Sequence, residues 1–226
     1  MNELEQQPFL DVEFAENTEP RCACILLLDT SSSMGGVPIS QLNEGLKAFQ
    51  NEIKEDSLAS KRVEVAIVSF GPVTVEQDFV SAIDFNAQSL EAQGTTPMGA
   101  AVETAVRMLK ERKATYKTNG THYYRPWVFL ITDGAPTDNI QEATALIHAG
   151  EADKSLMFFP IGIEGADMNA LKQMSVREPL KMKGLMFREF FLWLSASLGS
   201  VSQSSPGDLV ALTNPTEGPE GWATVG

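Results

Sequence analysis

The stretch DTSSSM, residues 29–34, places one carboxylate and four hydroxyls directly after the apolar run CACILLL, residues 22–28. Ser, Thr and Asp favour turns and helix N-caps, because their side chains hydrogen-bond to nearby backbone groups. Alternate positions of a tight turn also aim several hard oxygens at one cation, and these are the donors that magnesium requires. The stretch is therefore either a capped turn or part of a metal site.

Two further oxygen-rich turns occupy related positions along the chain. ITDG, residues 131–134, ends the apolar run WVFLIT, and GTTPMG, residues 94–99, precedes a helical pattern. Ligands of open α/β sheets bind at the carboxyl ends of the strands, near the point where the strand order reverses. If the first and central strands are neighbours, Asp29 and Asp133 meet there and repel each other. A divalent cation would remove that conflict.

The three turns together supply the donors of a magnesium site. Ser31 and Ser33 offer neutral hydroxyls from alternate positions, and Thr96 offers a third. Asp29 and Asp133 balance the charge, either by direct ligation or by holding metal-bound waters. A metal with few anionic ligands and one open position accepts a carboxylate from another protein, so the pattern predicts binding rather than turnover. The predicted metal is Mg²⁺, with Mn²⁺ as the alternative.

Each of these signals has an ordinary structural explanation when it is taken alone. Ser31 or Ser33 would cap the next helix, Thr96 before Pro97 would do the same, and an Asp-Gly pair is common in turns. Their joint occurrence, in order and at the ends of elements, favours the metal site.

Apolar periodicity predicts an alternation of strands and helices around the three turns. Nearly continuous apolar strands that alternate with helices indicate an α/β fold, a doubly wound and mainly parallel central sheet flanked by helices on both faces. Residues 113–126 are predicted to form a surface loop whose tyrosines either pack locally or face a partner. The predicted strands are 22–28, 62–70, 73–80 (an edge strand), 127–132 and 156–163. The predicted helices are 39–53, 98–113, a helix capped by Asp138, a short helix that begins at Asp167, and 187–201.

Composition limits the compartment and the partners of the chain. The 226 residues are 43% apolar and carry a formal net charge of −13, which favours one domain and disfavours nucleic acid and anionic membranes as partners. Cys22 and Cys24 would share one strand face, which argues against a disulfide, and with His122 and His148 they lack zinc-site spacing. We expect a soluble, cytoplasmic protein with an N-terminal extension (1–20), a domain (21–201) and a Ser/Gly/Pro-rich tail (202–226).

At the site residues the sequence resembles the von Willebrand factor A domains, which carry a metal-ion-dependent adhesion site. The family pattern Asp-x-Ser-x-Ser, a downstream Thr and an Asp after a strand corresponds to Asp29, Ser31, Ser33, Thr96 and Asp133. Thr96 fits the family spacing, with Thr95 as the alternative, and Ser32 stands where Gly is common. The likeness covers roughly residues 21–201.

The likeness is closer to the bacterial TerY-like branch, through DTSSSMGGVPI, GTTPMGAAV and YYRPWVFLITDGAPTD. That resemblance implies a cytosolic, non-enzymatic adaptor in a stress-response or tellurite-resistance system, working with a protein kinase and a phosphatase. It also implies a partner that offers an Asp or Glu to the metal.

Three alternatives remain open from the sequence. One is a metal-dependent phosphatase or phosphotransferase using Asp29, although Ser31 stands where haloacid-dehalogenase-like phosphatases place a second Asp, and P-loop and GxSxG motifs are absent. Another is a structural subunit in which the metal is incidental. The third, suggested by integrin-like relatives, is a binding module whose last helix moves, but core burial sufficiently explains its aromatic face.

Overall fold

Strands from the whole length of the chain form one mixed sheet. A computed structural model describes Phe14, residues 17–218 and residues 221–226. Within them the strands are β1 (Cys22–Asp29), β2 (Val63–Phe70), β3 (Val73–Ser81), β4 (Trp127–Thr132), β5 (Met157–Gly162), β6 (Leu180–Met182) and β7 (Ala223–Val225). Their order in the sheet is β3-β2-β1-β4-β5-β6-β7.

The centre of the sheet is parallel and its two edges are antiparallel. β1 pairs in parallel with both β2 and β4, and β5 continues the parallel order to β6. β3 and β7 pair antiparallel with their neighbours. The strand order therefore runs outward in opposite directions from β1 and β4, which makes their carboxyl ends the switch point of the fold. The predicted α/β architecture is confirmed, as is the edge position of β3.

Helices cover both faces because the side chains of β1 alternate between two cores. Within the described residues the helices are a 3-10 turn (Ser32–Met34), α1 (Val37–Glu55), α2 (Ala59–Arg62), α3 (Met98–Thr118), α4 (Gln141–Ala152), α5 (Met168–Met174) and α6 (Phe187–Ser202). Cys22, Cys24, Leu26 and Leu28 lie in the core with α1 and α6, whereas Ala23, Ile25 and Leu27 lie in the core with α3, α4 and α5. Both cysteines are buried and unbridged.

The predicted surface loop at residues 113–126 is wrong in its first part, because α3 continues to Thr118. Only one residue of the extra turn, Tyr116, faces the core, so the helical period is hidden among lysines and threonines. Tyr124 is also buried, and its hydroxyl donates to the carbonyl oxygen of Ser204 over 2.5 Å. These two tyrosines therefore pack locally, the first of the two alternatives that the sequence leaves open.

The C-terminal tail returns to the sheet. Trp222 is 1% exposed and lies in the core with α1 and α6, and β7 follows it directly. Leu209, in contrast, is fully exposed. The predicted N-terminal extension, residues 1–20, lies mostly outside the described residues. Among the helices that the structure describes, none has the length and apolar character needed to cross a membrane.

Candidate metal centre

Two neighbouring strands bring the two predicted carboxylates to one sheet edge. β1 pairs with β4 so that Leu28 lies opposite Ile131, which places Asp29 beside Thr132 and one residue from Asp133. Asp29 is wholly buried, whereas Asp133 is half-buried. β1 and β4 are therefore neighbours, as the sequence prediction of a shared site requires. Asp29 is the inner carboxylate of the pair and Asp133 the outer one.

Two donors hold the Asp29 carboxylate. The backbone N–H of Ser31 donates to Oδ1 over 2.8 Å, and the Thr132 hydroxyl donates to Oδ2 over 2.5 Å. Burial raises the pKa of Asp29 above its ordinary value, the two hydrogen bonds oppose that rise, and the charge of Asp133 adds to it. Desolvation thus disfavours the ionised form, and a nearby cation would favour it.

A short relay of hydroxyls links the first turn to Asp133. The Ser33 hydroxyl donates to Asp133 Oδ1 over 2.8 Å, and the Ser31 and Ser33 oxygens lie 2.9 Å apart. Since Ser33 uses its only proton on Asp133, Ser31 is the donor to Ser33. Neither hydroxyl caps a helix: the 3-10 turn has no side-chain cap bond, and the N-cap residue of α1 is Gly36, which has no side chain. Both oxygens therefore point into the cluster instead of closing a turn.

Thr96 lies against the turn that follows Asp133. Its N–H donates to the Thr137 hydroxyl over 3.1 Å, and the Thr137 N–H donates to the Thr96 carbonyl over 2.9 Å. A Cβ added at Gly134 would lie only 3.3 Å from the Thr96 hydroxyl oxygen. Thr96 is 6% exposed, whereas Thr95 is exposed, so the geometry favours Thr96 over its neighbour as the third hydroxyl donor.

Asp138 fixes the same loop, but the prediction that it caps the helix following it in sequence is wrong. Its carboxylate accepts from the N–H groups of Gly99 and Ala100, 2.9 and 2.8 Å away, and so caps α3 and not the following helix. Asn139 accepts from the N–H of Gln141 at the start of α4 instead. A cap supplied from a loop distant in sequence cannot be read from local spacing. It ties the Thr96 segment to the Asp133 loop.

Thr132 is the site residue that the sequence analysis misses. Its hydroxyl accepts from the N–H of Gly134 over 3.1 Å, which leaves its own proton directed to Asp29. It therefore connects the buried carboxylate to the turn that carries Asp133. The available signal was a hydroxyl residue at the last position of a buried strand, directly before Asp-Gly.

The donor set fits a hard divalent cation. It contains two carboxylates and three hydroxyls, at Asp29, Asp133, Ser31, Ser33 and Thr96. Across the described part of the chain, no cluster of three or more His, Cys, Asp or Glu side chains is placed to hold a metal. Oxygen-only donors with few charges are those that Mg²⁺ accepts, and its charge would offset the desolvation of Asp29.

The fold is that of a known protein family. The family model for the von Willebrand factor type A domain matches residues 24–188, a range that spans well over half of the chain. The chain therefore belongs to this family, whose domains commonly act as metal-dependent protein-interaction modules and generally not as enzymes. No curated protein matches the chain in sequence.

Solved structures share the fold at low identity. The pilus adhesin SpaC from Lactobacillus rhamnosus GG, in its open conformation, superposes with a TM-score of 0.65 at 14% identity, over 82% of this chain and 31% of the adhesin. The ArnB paralog VWA2 from Sulfolobus acidocaldarius gives 0.52 at 15% identity, over 84% and 46%. The vWF domain of the type V pili tip protein Mfa5 from Porphyromonas gingivalis gives 0.55 at 12%, over 85% and 99%. The chain spans less than half of the first two solved chains.

Proposed function

We propose that this protein binds a partner protein through a divalent cation held by Asp29, Ser31, Ser33, Thr96 and Asp133. The observation that carries the proposal is the hydrogen-bonded relay from Ser31 through Ser33 to Asp133, which gathers oxygens from turns 100 residues apart. The proposed metal is Mg²⁺, with Mn²⁺ as the alternative, and the partner offers an Asp or Glu.

The exposure of the donors supports access by a partner. Asp29 lies at the bottom of the cluster, whereas Ser33 is exposed and Asp133 is half-buried. When bound, the cation would supply a positive centre that accepts a carboxylate oxygen. The protein residues hold that centre in place: Ser31 and Thr132 orient Asp29, while Ser33 orients Asp133.

The cellular role that we propose is that of a cytoplasmic adaptor in a bacterial stress response of the tellurite-resistance type. It rests on the motifs DTSSSMGGVPI, GTTPMGAAV and YYRPWVFLITDGAPTD, which resemble the TerY-like branch. In this role a protein kinase and a phosphatase are the proposed partners, and the chain itself performs no catalysis.

Affinity capture from cell extract tests the proposal. The immobilised protein is compared in Mg²⁺ and in chelator, beside the variants Asp133→Asn and Asp84→Asn; Asp84 is an exposed residue that follows β3. We expect a specific partner that chelator and Asp133→Asn both release and that Asp84→Asn retains. The partner's contact carboxylate is then changed to its amide, which should abolish capture. Capture that is indifferent to chelator and to Asp133→Asn would refute the proposed function.

A further inference from the structure

The loops that surround the candidate metal centre carry acidic residues and lack basic ones. Four loops meet at this edge of the sheet: residues 30–36, 90–97, 133–140 and 163–167. Lysine and arginine are absent from all four. Besides Asp133, their charged residues are Glu91, Asp138, Glu164 and Asp167, which we call the acidic rim.

Backbone contacts fix the loop of Glu91 beside the first turn of the site. The N–H of Gln93 donates to the carbonyl of Thr30 over 2.7 Å, and the Ser32 N–H and hydroxyl both donate to the carbonyl of Gly94, over 3.1 and 3.0 Å. Glu91 precedes these contacts by two residues. Its side chain is exposed, so its charge faces the solvent next to the DTSSSM turn.

The loop of Glu164 packs against the turn after β4. The N–H of Asp167 donates to the carbonyl of Gly134 over 3.2 Å, and a Cβ added at Gly165 would lie 2.8 Å from the Asp133 carbonyl oxygen. Glu164, one residue before that close approach, is exposed. Glu91 and Glu164 therefore approach the candidate centre from different loops.

Neither the other two acidic residues of the rim, Asp138 and Asp167, nor the nearby Lys183 neutralises this negative charge. The carboxylates of Asp138 and Asp167 accept from backbone N–H groups at the starts of α3 and α5. Lys183 follows β6, two strands away from β4, and its ammonium donates to the carbonyl of Gly221 over 2.5 Å. The potential around the candidate centre is thus set by carboxylates.

An acidic rim repels an isolated carboxylate as it approaches. Two carboxylates already balance a divalent cation, so the rim adds uncompensated negative charge around the open side. Charge complementarity governs the encounter rate and the choice of partner. A partner carboxylate therefore binds more tightly when positive side chains accompany it.

We propose that the partner segment carries its Asp or Glu directly between lysine or arginine side chains, which face Glu91 and Glu164 across the rim. The inference rests on the proposed function, because it specifies the ligand of the same centre. Val37 adds one exposed apolar contact at the start of α1, where its side chain is 61% exposed.

Peptide titrations followed by NMR of the isotope-labelled full chain, in Mg²⁺ and at low salt, test the inference. Three five-residue probes are compared: Gly-Lys-Asp-Lys-Gly, Gly-Ser-Asp-Ser-Gly and Gly-Lys-Asn-Lys-Gly. We expect the first to bind about three- to tenfold more tightly than the second, the magnitude of two exposed charge pairs. The third should not bind, and added salt should remove the lysine advantage.

Two matched double variants locate the effect. Glu91→Gln with Glu164→Gln should abolish the lysine advantage, because the Ser-flanked probe no longer meets the repulsion of these two carboxylates and the Lys-flanked probe no longer meets their attraction. Glu52→Gln with Glu55→Gln removes the same charge at the far end of α1, about 28 Å from its start, and should preserve the advantage.

The possible failures of the two proposals are distinct. Equal binding of both Asp probes, or a lysine advantage that survives in the rim variant, overturns the inference and leaves the proposed function standing. Binding of the Asn probe as tightly as its Asp counterpart, binding that persists in chelator, or no binding of any probe overturns the proposed function and the inference with it.

Discussion

Two protein donors hold the Asp29 carboxylate, and the Thr132 hydroxyl is the one that bonds to Oδ2. The Thr132 hydroxyl lies between Asp29 Oδ2 and the N–H of Gly134, 2.5 and 3.1 Å away. Groups that orient a metal ligand in this way usually contribute one to two orders of magnitude to affinity. Thr132 is therefore a positioning residue for the proposed site.

Removing this hydroxyl while keeping the shape of the side chain tests its role. We expect Thr132→Val to weaken Mg²⁺ binding by about 10- to 100-fold, because Asp29 loses its orienting donor. Thr132→Ser, which keeps the hydroxyl, should stay close to the wild-type affinity in the same calorimetric titration. Equal affinities for the Val and Ser variants would show that the bond has no part in metal binding.

The pKa values of the two cysteines reflect the exclusion of water from the core. Burial, assisted by the charge of Glu64, raises the pKa of Cys22 to about 12, and burial also raises that of Cys24. A thiol whose pKa is raised on folding contributes its full stability below its ordinary pKa of 9.0. That contribution is lost as the pH rises towards 12.

We therefore expect the free energy of unfolding to fall with alkaline pH. Between pH 8 and 10.5, Cys22 alone should account for a loss of about 2 kcal/mol, since the unfolded chain ionises first. Denaturant unfolding at both pH values measures the loss, and Cys22→Ala should show a smaller one. An identical loss in this variant would contradict the assignment to Cys22.

At the scale of elements, a buried ionic cluster joins β2 to α3 and to the residue before β1. The Glu64 carboxylate lies 3.3 Å from Arg21 Nε and 2.7 Å from Arg112 Nε, and it accepts the hydroxyl proton of Tyr116. Arg21 and Glu64 are fully buried. Phe14 covers the cluster, with the guanidinium carbons of both arginines about 5 Å from its ring centre.

Removing Glu64 leaves the charge of Arg21 buried without its counter-ion. We expect Glu64→Ala to lower the free energy of unfolding by about 3–5 kcal/mol, the usual cost of breaking a buried ion pair from one side. The matched control is Glu111→Ala, which breaks an exposed pair with Arg107 at 3.4 Å and should change stability little. Equally small losses of unfolding free energy for Glu64→Ala and Glu111→Ala, measured by urea unfolding, would contradict the structural role of this cluster.

At the scale of the whole molecule, the tail completes the sheet. Trp222 packs edge-to-face on Phe190 and Trp193 of α6, with ring centroids 5.0 and 5.6 Å away, and β7 extends the sheet beyond β6. The tail thus packs on α6 and covers this part of the core. The domain boundaries at residues 21–201 stay a prediction.

Paired substitutions in the tail measure this closure. Trp222→Ala removes a side chain that is 1% exposed, so we expect a loss of about 3–5 kcal/mol in unfolding free energy. Leu209→Ala, at a fully exposed position of the same tail, should have almost no effect. Limited proteolysis should cleave the Trp222 variant sooner; resistance equal to that of the Leu209 variant would show that the tail does not depend on Trp222.

The sequence predicts the central strands and the donors that end them, for a common physical reason. β1 and β4 are nearly continuous apolar runs, and β2 is interrupted only by Glu64 and Ser69. The carboxyl ends of parallel neighbours must share an edge. β6 and β7 escape prediction because they have three residues each and depend on long-range pairing. The roles of Thr132, Asp138 and Glu64 escape prediction because the groups they bond to lie far away in sequence, and local spacing does not identify such partners.

The central claim is that the DTSSSM turn, residues 29–34, binds a metal ion. Calorimetric titration of Mg²⁺ into chelator-stripped protein tests this claim most directly. Wild type is compared with Ser31→Ala/Ser33→Ala and with Ser32→Ala, whose hydroxyl bonds to the Gly94 carbonyl instead. Circular dichroism confirms that each variant is folded. We expect one saturable site that the double variant loses and Ser32→Ala keeps. Unchanged affinity in the folded double variant, or no wild-type binding at millimolar Mg²⁺, would contradict the claim.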